Sequence, residues 1–333
     1  MKTAFITNQK DRFSYVYTKE MVDYLKKNAL SDGYCYNYEE ILENKDKFQN
    51  TEFIFSTWGM AELTEEEIKE IFPSLKCVFY SAGTVQYFAR PFLNLGIKVF
   101  SAWAANAVPV AEYTVAQIIL SNAGYFMSSK TASNGDYYGA KEQFRKYRGN
   151  YGAKVGIIGA GMIGKLVIEM LKAYKLEVLV FDPFLPDGKA EELGVKKTTL
   201  EELFSECEVV SNHLANNEQT KGMLNKALFE KMKPYATFLN TGRGAQVVEA
   251  DLIDVLKNRP DLIAVLDVTD PEPPVADSEF YSLPNCILTP HIAGSSGDEV
   301  HRMAEYMITE YENYINGKEN NYEVTLEMLK TMA

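Results

Sequence analysis

The sequence predicts an α/β protein with parallel sheets, and its hydrophobic rhythm is the main reason. Short runs of β-branched or aromatic residues alternate with amphipathic stretches, which is typical of repeated strand–helix–strand units. This rhythm begins a second time after Gly152, behind a polar connection. A chain of 333 residues is also long enough for two domains, at roughly 150 residues each.

The first hundred residues contain four predicted strands and two predicted helices. The strands are short apolar runs, at residues 2–7, 53–57, 77–81 and 98–101. The helices are amphipathic, at residues 18–28 and 64–72. The second helix begins with a capping box, because Glu67 follows Thr64 at the third position.

A long helix is predicted over residues 110–124, directly behind Val108-Pro109. The stretch 128–152 is polar, rich in Gly, Tyr and Ser, and shows no clear period. It is interpreted as a connection with a turn at Asn134-Gly135.

The second half repeats the strand and helix alternation. Its predicted strands are 154–158, 177–181, 209–213, 237–240, 263–266 and 286–288. Its predicted helices are 162–174, 200–205, 227–232 and 249–258. A last helix over 298–315 is expected to pack back on the first domain. The predicted domains are therefore 1–107 with 296–333, and 108–295.

Composition excludes several classes of partner. Lys and Arg number 34 against 46 Asp and Glu, so the formal net charge is −12, which argues against nucleic acids and anionic membranes. No run approaches the ~20 apolar residues of a membrane span. The four cysteines are scattered and the chain has 3 histidines, so neither a disulfide scaffold nor a metal site is expected, and a cytoplasmic location fits.

A glycine-rich turn is the strongest local motif. Gly159, Gly161 and Gly164 follow a predicted buried strand and open a predicted helix, which is the context that a dinucleotide-binding turn requires. The first glycine permits the tight turn, the second lets a pyrophosphate approach, and the third lets helix and strand pack closely. The free N–H groups of the helix N-terminus favour the anion.

Asp182 indicates which dinucleotide the glycine turn would bind. It ends the next predicted strand, 18 residues after Gly164, where a carboxylate can accept hydrogen bonds from ribose hydroxyls and would repel a 2′-phosphate. NAD is therefore favoured over NADP. The alternative is a glycine-rich turn that binds no ligand and an aspartate that only caps its own strand. It fits less well, because strand, glycines, helix and Asp182 follow one another in the order and spacing of the motif.

Three polar residues follow predicted strand ends in the same domain. Arg243 lies between two glycines, Glu272 lies in a proline-rich loop, and His291 follows Pro290. Taken singly, each is more typical of a surface ion pair, a solvated carboxylate or a structural histidine. Together they can meet at one edge of a parallel sheet, as a carboxylate anchor, a stabiliser of imidazolium and a proton donor.

With these motifs the chain resembles the NAD-dependent D-isomer-specific 2-hydroxyacid dehydrogenases. The similarity runs over roughly residues 76–300. It is carried by Ser81-Ala82-Gly83-Thr84, Asn106-Ala107-Val108-Pro109-Val110-Ala111-Glu112, the glycine turn, Asn240-Thr241-Gly242-Arg243-Gly244, Glu272-Pro273 and Pro290-His291-Ile292-Ala293-Gly294.

The resemblance implies two domains with parallel sheets, Rossmann-like and flavodoxin-like, with the active site in the cleft between them. It also implies a homodimer, an NAD-dependent oxidoreductase and a small 2-keto or 2-hydroxy acid as substrate. By the same resemblance Arg243 binds the substrate carboxylate, His291 is the general acid and base, and Glu272 is its partner. The Gly83-Thr84 loop offers N–H groups to the substrate. The implied cofactor contacts are Gly159, Gly161, Met162, Ile163, Gly164, Asp182, His213, Leu214, Thr241, Gly242, Arg243, Asp267 and His291.

The sequence departs from the family in the loop after His213. The usual continuation is Pro-Leu-Thr, whereas this chain has Leu214-Ala215-Asn216-Asn217. The loop is implied to run along the cofactor, so its contacts are expected to differ.

Two alternatives stay open. An NAD(H)-sensing binding protein on the same scaffold would keep similar site residues. The other is oxidation of formate or phosphite on this scaffold. Its formate version is disfavoured, because the related formate dehydrogenases resemble the pattern but have glutamine where Glu272 stands. Trp58 and Met60 either line a pocket for a bulky or apolar substrate or pack between the domains.

Overall fold

The chain forms two compact units in the computed structural model, which describes residues 2–330. The first unit comprises the residues up to Asn106 together with those from Ser295 onward. The second unit is residues 107–294. Each unit has its own sheet and its own apolar cores on the sheet faces.

Thirteen strands occur in the described residues. In chain order they are β1 (Thr3–Ile6), β2 (Ser31–Tyr36), β3 (Phe53–Ser56), β4 (Cys77–Tyr80), β5 (Lys98–Ser101), β6 (Lys154–Ile158), β7 (Glu177–Phe181), β8 (Lys196–Lys197), β9 (Val209–Asn212), β10 (Thr237–Asn240), β11 (Ile263–Leu266), β12 (Cys286–Leu288) and β13 (Glu323–Val324).

Fourteen α-helices accompany them in the described part of the chain. They are α1 (Lys10–Val16), α2 (Lys19–Asn28), α3 (Tyr38–Glu43), α4 (Glu65–Ile71), α5 (Ala89–Asn94), α6 (Trp103–Asn122), α7 (Tyr125–Ser133), α8 (Tyr137–Phe144), α9 (Met162–Leu171), α10 (Asp187–Leu193), α11 (Leu200–Glu206), α12 (Lys226–Phe229), α13 (Glu249–Asn258) and α14 (Glu299–Ile315). None of these described helices combines the length and apolar character that a bilayer crossing requires.

The sheet of the first unit has the strand order β13-β5-β4-β3-β1-β2. All neighbouring pairs are parallel except β13 with β5. The order reverses between β1 and β3, which is the doubly wound arrangement of flavodoxin-like folds. The predicted fold class is confirmed for this unit.

An aromatic layer covers one face of this sheet. The rings of Phe55, Phe79 and Phe100 lie side by side, with centroids 5.0 Å apart in each neighbouring pair. Helix α14 packs Met303 and Met307 against this layer, and both methionines are fully buried. The last helix therefore packs on the first unit, because its apolar stripe has this face to cover.

The C-terminal segment is held by a buried carboxylate. Glu310 of α14 has no exposed surface and accepts hydrogen bonds from the side-chain amide of Asn320 and the backbone N–H groups of Asn321 and Tyr322. These bonds direct the chain into β13, which pairs antiparallel with β5.

The second unit has a seven-stranded, wholly parallel sheet in the order β12-β11-β10-β9-β6-β7-β8. Its order reverses between β6 and β9, as in a Rossmann fold with one added strand. Since the strands are parallel, the loops after β6, β9, β10, β11 and β12 all leave the same edge. Ligands bind such sheets at this edge, beside the reversal.

The region before this sheet differs from the prediction. Helix α6 begins at Trp103, so Pro109 lies inside it, where proline removes one helical hydrogen bond. Full burial of Ala105, Ala111 and Ile118 offsets that loss. The stretch predicted as a connection contains α7 and α8 on either side of the predicted turn. Their periodicity was invisible because α7 buries no side chain and α8 buries one.

Replacement of Glu310 by alanine tests how the C-terminal segment is held. The variant leaves the N–H groups of Asn321 and Tyr322 without their acceptor, while the Asn320 amide keeps its bond to the backbone carbonyl oxygen of residue 310. We therefore expect the free energy of unfolding to fall by about 1–3 kcal/mol. Urea unfolding followed by circular dichroism measures it. Glu319→Ala removes an exposed carboxylate nearby and should change nothing. Equal losses in both variants would contradict this role of Glu310.

Candidate active site

The glycine turn after β6 is built by close packing. Gly159 has a φ of +89°, and a Cβ on it would lie 2.7 Å from the carbonyl oxygen of His213. A Cβ on Gly164 would overlap the carbonyl oxygen of Gly159. A Cβ on Gly161 would meet nothing within 4 Å, so this part of the turn faces open space. The three positions thus match the tight turn, the open approach and the close helix contact that the motif predicts.

The N-terminus of α9 presents free donors beside that open space. In the described part of the chain, the N–H groups of Met162, Ile163 and Gly164 donate no hydrogen bond, whereas the N–H group of Lys165 already bonds to Gly161. Such a helix end favours an anion such as a pyrophosphate.

Asp182 connects the turn to the end of β7. One carboxylate oxygen accepts from the N–H group of Ala160 at 2.7 Å, and the other accepts from that of Phe184 at 2.8 Å. Each oxygen has a second lone pair, so the half-buried carboxylate can still accept from a ribose hydroxyl.

Arg243 emerges from the loop after β10, where it is half-buried. Its Nη1 donates to the carbonyl oxygen of Gly242 at 2.8 Å, and it forms no ion pair with any described residue. Burial lowers the pKa of the guanidinium, and the charge of Glu272 opposes that shift. The remaining donors can grip an anionic ligand in two parallel bonds.

The loops after β10 and β11 touch directly through a glycine. A Cβ on Gly244 would overlap the backbone of Thr269, so only glycine allows this contact. The contact brings the loop that contains Arg243 next to the loop that leads to Glu272.

Asp267, directly after β11, holds the loop that contains His291. It is 2% exposed. Oδ1 accepts from the hydroxyl of Thr289 at 2.6 Å and from the N–H group of Ile292 at 2.8 Å, and Oδ2 accepts from that of Ala293 at 2.8 Å. The hydroxyl groups of Thr289 and Tyr113 lie 3.0 Å apart, which extends the network to α6.

His291 and Glu272 form the polar pair that the sequence predicts at this edge. The Nδ1 atom of His291 lies 2.6 Å from Oε1 of Glu272, and the two side chains are 46% and 41% exposed. His291 has a φ of +52°, a conformation in which histidine is enriched among non-glycine residues. Because Nδ1 faces the carboxylate, Nε2 is left without a partner among the described residues. The ring can therefore exchange a proton with a ligand through Nε2.

The other predicted cofactor residues lie at the same edge. Met162 is 46% exposed, while Ile163 packs partly against the core. The Leu214 backbone bonds to buried side chains on both sides. The hydroxyl group of Thr241 is buried against that of Thr114 at 3.2 Å, and Gly242 lies beside Asn212 and Gln246.

Sequence reasoning missed two residues of this edge, Asn212 and Gln246. Both are fully buried, and their side-chain amides bond to each other at 2.6 Å. The available signal was a polar side chain in an otherwise apolar pattern, at the end of Val209-Val210-Ser211 and before Val247-Val248.

The predicted substrate loop belongs to the first unit. Ser101 donates to the carbonyl oxygens of Ala82 and Gly83 at 2.9 and 2.7 Å, and the N–H groups of Gly83 and Thr84 donate to no described residue. The loop thus has a fixed backbone with free donors.

The two residues weighed for a substrate pocket differ in accessibility. Met60 is 2% exposed and belongs to the core of the first unit. Trp58 is half-buried, with the guanidinium of Arg12 6.0 Å from its ring centroid. Of the two, Trp58 has the accessible surface.

The arrangement supports acid–base chemistry on a bound anion. It combines an anion-binding helix end, an arginine with free donors and a histidine paired to a carboxylate, all on one unit and one edge. Among the described residues no cluster of three or more His, Cys, Asp or Glu side chains could hold a metal ion.

Comparison with known families matches this edge to a described domain. Residues 116–293, more than half of the chain, match the model of the family "D-isomer specific 2-hydroxyacid dehydrogenase, NAD binding domain". The matched range includes the glycine turn, Arg243, Glu272 and His291.

Similar proteins extend over more of the chain. D-3-phosphoglycerate dehydrogenase of Archaeoglobus fulgidus is 28% identical over 84% of this chain and 52% of its own length. The enzyme of that name from Bacillus subtilis is 31% identical over 67% of this chain and 42% of its own length. The chain thus spans about half the length of these relatives. A phosphoglycerate oxidoreductase from Rhizobium etli has the same fold, with a TM-score of 0.79 and 21% identity over 97% of each chain.

Replacement of Asp267 by alanine should release the loop that contains His291. The N–H groups of Ile292 and Ala293 lose their acceptor, so their hydrogen exchange should accelerate and the free energy of unfolding should fall by about 1–3 kcal/mol. Hydrogen exchange with mass spectrometry measures the first effect. Asp277→Ala, an exposed aspartate of the same unit, is the control. Unchanged exchange at both amides would refute the proposed support.

His213 gives the second unit a pH-dependent stability. Its Nδ1 atom is enclosed without a partner among the described residues, and burial lowers its pKa from 6.5 to about 4. The unfolded chain therefore binds this proton first, and stability should fall as the pH drops from 6.5 towards 4.

His213→Gln should flatten that part of the profile. Thermal midpoints at pH 7, 5.5 and 4.5 measure the effect. His301→Gln, in the first unit, is the control. A wild-type and a His213→Gln profile that run in parallel would exclude the contribution.

Proposed function

This chain belongs to the D-isomer specific 2-hydroxyacid dehydrogenase family, and on that basis we propose that it interconverts a 2-keto acid and the (R)-2-hydroxy acid. The observation that carries the proposal is the 2.6 Å contact between His291 and Glu272 beside the half-buried Arg243. A carboxylate anchor and a proton donor are the two groups that this reaction needs from the protein.

The cofactor is NAD, and the glycine turn fits it. The open space at Gly161 and the free N–H groups of α9 suit the pyrophosphate, while Asp182 suits an unphosphorylated ribose. His213, Leu214, Thr241 and Asp267 are proposed to contact the remainder of the cofactor. When bound, NADH supplies the hydride for the keto carbon.

Arg243 is proposed to hold the substrate. Its guanidinium can form two parallel hydrogen bonds to a carboxylate, and partial burial strengthens that interaction by excluding water. The same charge stabilises the negative charge that develops on the keto oxygen. The free N–H groups of Gly83 and Thr84 are proposed as further donors to the carboxylate.

His291 is proposed to deliver the proton. Glu272 orients the ring through Nδ1, which leaves Nε2 to protonate the keto oxygen in reduction. In the reverse direction neutral Nε2 takes the hydroxyl proton. Asp267 supports the transfer by fixing the backbone on both sides of His291.

A homodimer is proposed as the assembled form. Helices α7 and α8 expose large aromatic side chains that a second copy of the chain would cover, namely Tyr125, Tyr137, Tyr138 and Phe144. Multi-angle light scattering tests this directly, and a monomer at micromolar concentration would contradict it.

The test of function is NADH oxidation with a panel of 2-keto acids, with NADPH in parallel. The panel contains pyruvate, phenylpyruvate, 2-ketoisocaproate, hydroxypyruvate and 3-phosphohydroxypyruvate. His291→Asn should lower kcat on the best substrate by about 10²–10⁴-fold, the usual contribution of a general acid. Asparagine tolerates the positive φ at this position, so the fold should persist.

The control is His301→Asn, on α14 of the first unit, which should keep wild-type turnover. Near-native turnover in His291→Asn would refute the proton-donor role. If the wild-type chain binds NADH but reduces no member of the panel, the sensor alternative gains support instead.

A further inference from the structure

The loops after β9 and β10 are joined by three buried side-chain amides, those of Asn212, Asn240 and Gln246, which we call the amide clamp. We propose that the amide clamp couples cofactor binding on the loop after β9 to the position of Arg243. Gln246 and Asn212 would then be positioning residues. The inference rests on the proposed function, because it assigns to this network a role in that site.

The clamp begins with two neighbouring strand ends. Asn212 and Asn240 are paired in register as the last residues of β9 and β10. The Nδ2 atom of Asn212 donates to Oδ1 of Asn240 at 3.0 Å and to Oε1 of Gln246 at 2.6 Å. Both protons of this amide are therefore used inside the protein.

The clamp holds the backbone of Arg243 on both sides. Oε1 of Gln246 accepts from the N–H group of Arg243 at 3.2 Å. Nδ2 of Asn240 donates to the carbonyl oxygen of Arg243 at 3.2 Å. Apart from the bond of Nη1 to Gly242, the guanidinium donors are left for a ligand, while the backbone that aims them is fixed by the clamp.

The same clamp holds the cofactor-side loop. Nε2 of Gln246 donates to the carbonyl oxygens of Leu214 and Ala215 at 2.8 and 3.0 Å. Oδ1 of Asn212 accepts from the N–H group of Leu214 at 3.3 Å. This loop touches the glycine turn, because a Cβ on Gly159 would meet both His213 and Leu214. Gln246 thus bonds both to the loop after β9, which touches the glycine turn, and to the backbone of Arg243.

The orientation of Gln246 cannot be reversed. A flipped amide would place its nitrogen against the donors of Asn212 and Arg243, and its oxygen against two carbonyl oxygens. All three clamp residues are at most 1% exposed, so water cannot replace a lost partner without rearrangement. A displacement of either loop therefore breaks bonds to the other.

The decisive variant is Gln246→Glu. One carboxylate oxygen can still accept from Asn212 and Arg243, while the other replaces a donor and faces the carbonyl oxygens of Leu214 and Ala215. At a pH at which the introduced carboxyl group is ionised, the change keeps the bonds on the arginine side and breaks those to Leu214 and Ala215. Gln219→Glu is the matched control, because it adds the same charge at an exposed position of the loop after β9.

The readout is hydrogen exchange with and without NADH, together with NADH affinity from fluorescence titration. In the wild type, NADH should slow exchange in three segments, namely 159–164, 213–217 and 244–247, and the last of these contains no proposed cofactor contact. In Gln246→Glu, NADH should still slow exchange in 159–164 but no longer in 244–247. Its Kd for NADH should rise about tenfold, the loss expected for about one net hydrogen bond.

A purely structural role is separated by where protection is lost. Gln246→Leu leaves one N–H of the Asn212 amide and the N–H group of Arg243 without their acceptor, so its thermal midpoint should fall. At saturating NADH this variant should keep protection in 159–164 and lose it in 244–247. A variant that is only destabilised would show protection in both segments or in neither, and that result would contradict coupling.

Two results would overturn the inference. One is wild-type NADH-dependent protection of 244–247 in Gln246→Glu, and the other is the same loss of protection in Gln219→Glu. Failure of the proposed function looks different, because NADH would then give no protection of 159–164 in the wild-type chain.

Discussion

The candidate site depends on one constraint at the carboxyl edge of the second sheet. There the backbone leaves the strand ladder, so its N–H and C=O groups lose their strand partners and must be satisfied by other groups. Three neighbouring strands meet this need with a short polar side chain at or directly after their last residue, namely Asn212, Asn240 and Asp267. Each is buried, and each bonds to backbone that follows a strand.

Because buried polar side chains hold the backbone of these loops, the side chains of His291 and Arg243 are available for a ligand. The backbone around His291 is held by Asp267, and the backbone of Arg243 is held by Asn240 and Gln246. The imidazole and the guanidinium are therefore aimed by groups other than themselves. Nε2 of His291 and the guanidinium donors of Arg243 that do not bond to Gly242 can therefore serve a ligand, which is the preorganisation that transition-state stabilisation requires.

The first unit uses hydroxyl groups for the same purpose. The loop after β4 is supported by Ser101, by the hydroxyl of Thr57 on the carbonyl oxygen of Ser81, and by Tyr17 against the hydroxyl of Ser81. These supports come from residues far apart in the chain. They leave the backbone N–H groups of Gly83 and Thr84 free.

Local patterns were enough to predict the α/β class, most strand positions, the glycine turn and the trio of Arg243, Glu272 and His291. These features depend on hydrophobic period and on short motifs, both of which lie within a few residues of one another. The two helices between residues 125 and 144 escaped prediction because they bury almost nothing and so carry no apolar period. The contact of Asn212 with Gln246 spans 34 positions, and the support of Ala293 by Asp267 spans 26. Such pairs form only when parallel strands pair and bring their carboxyl ends next to each other. No pattern along the chain therefore predicts which buried amide contacts which loop.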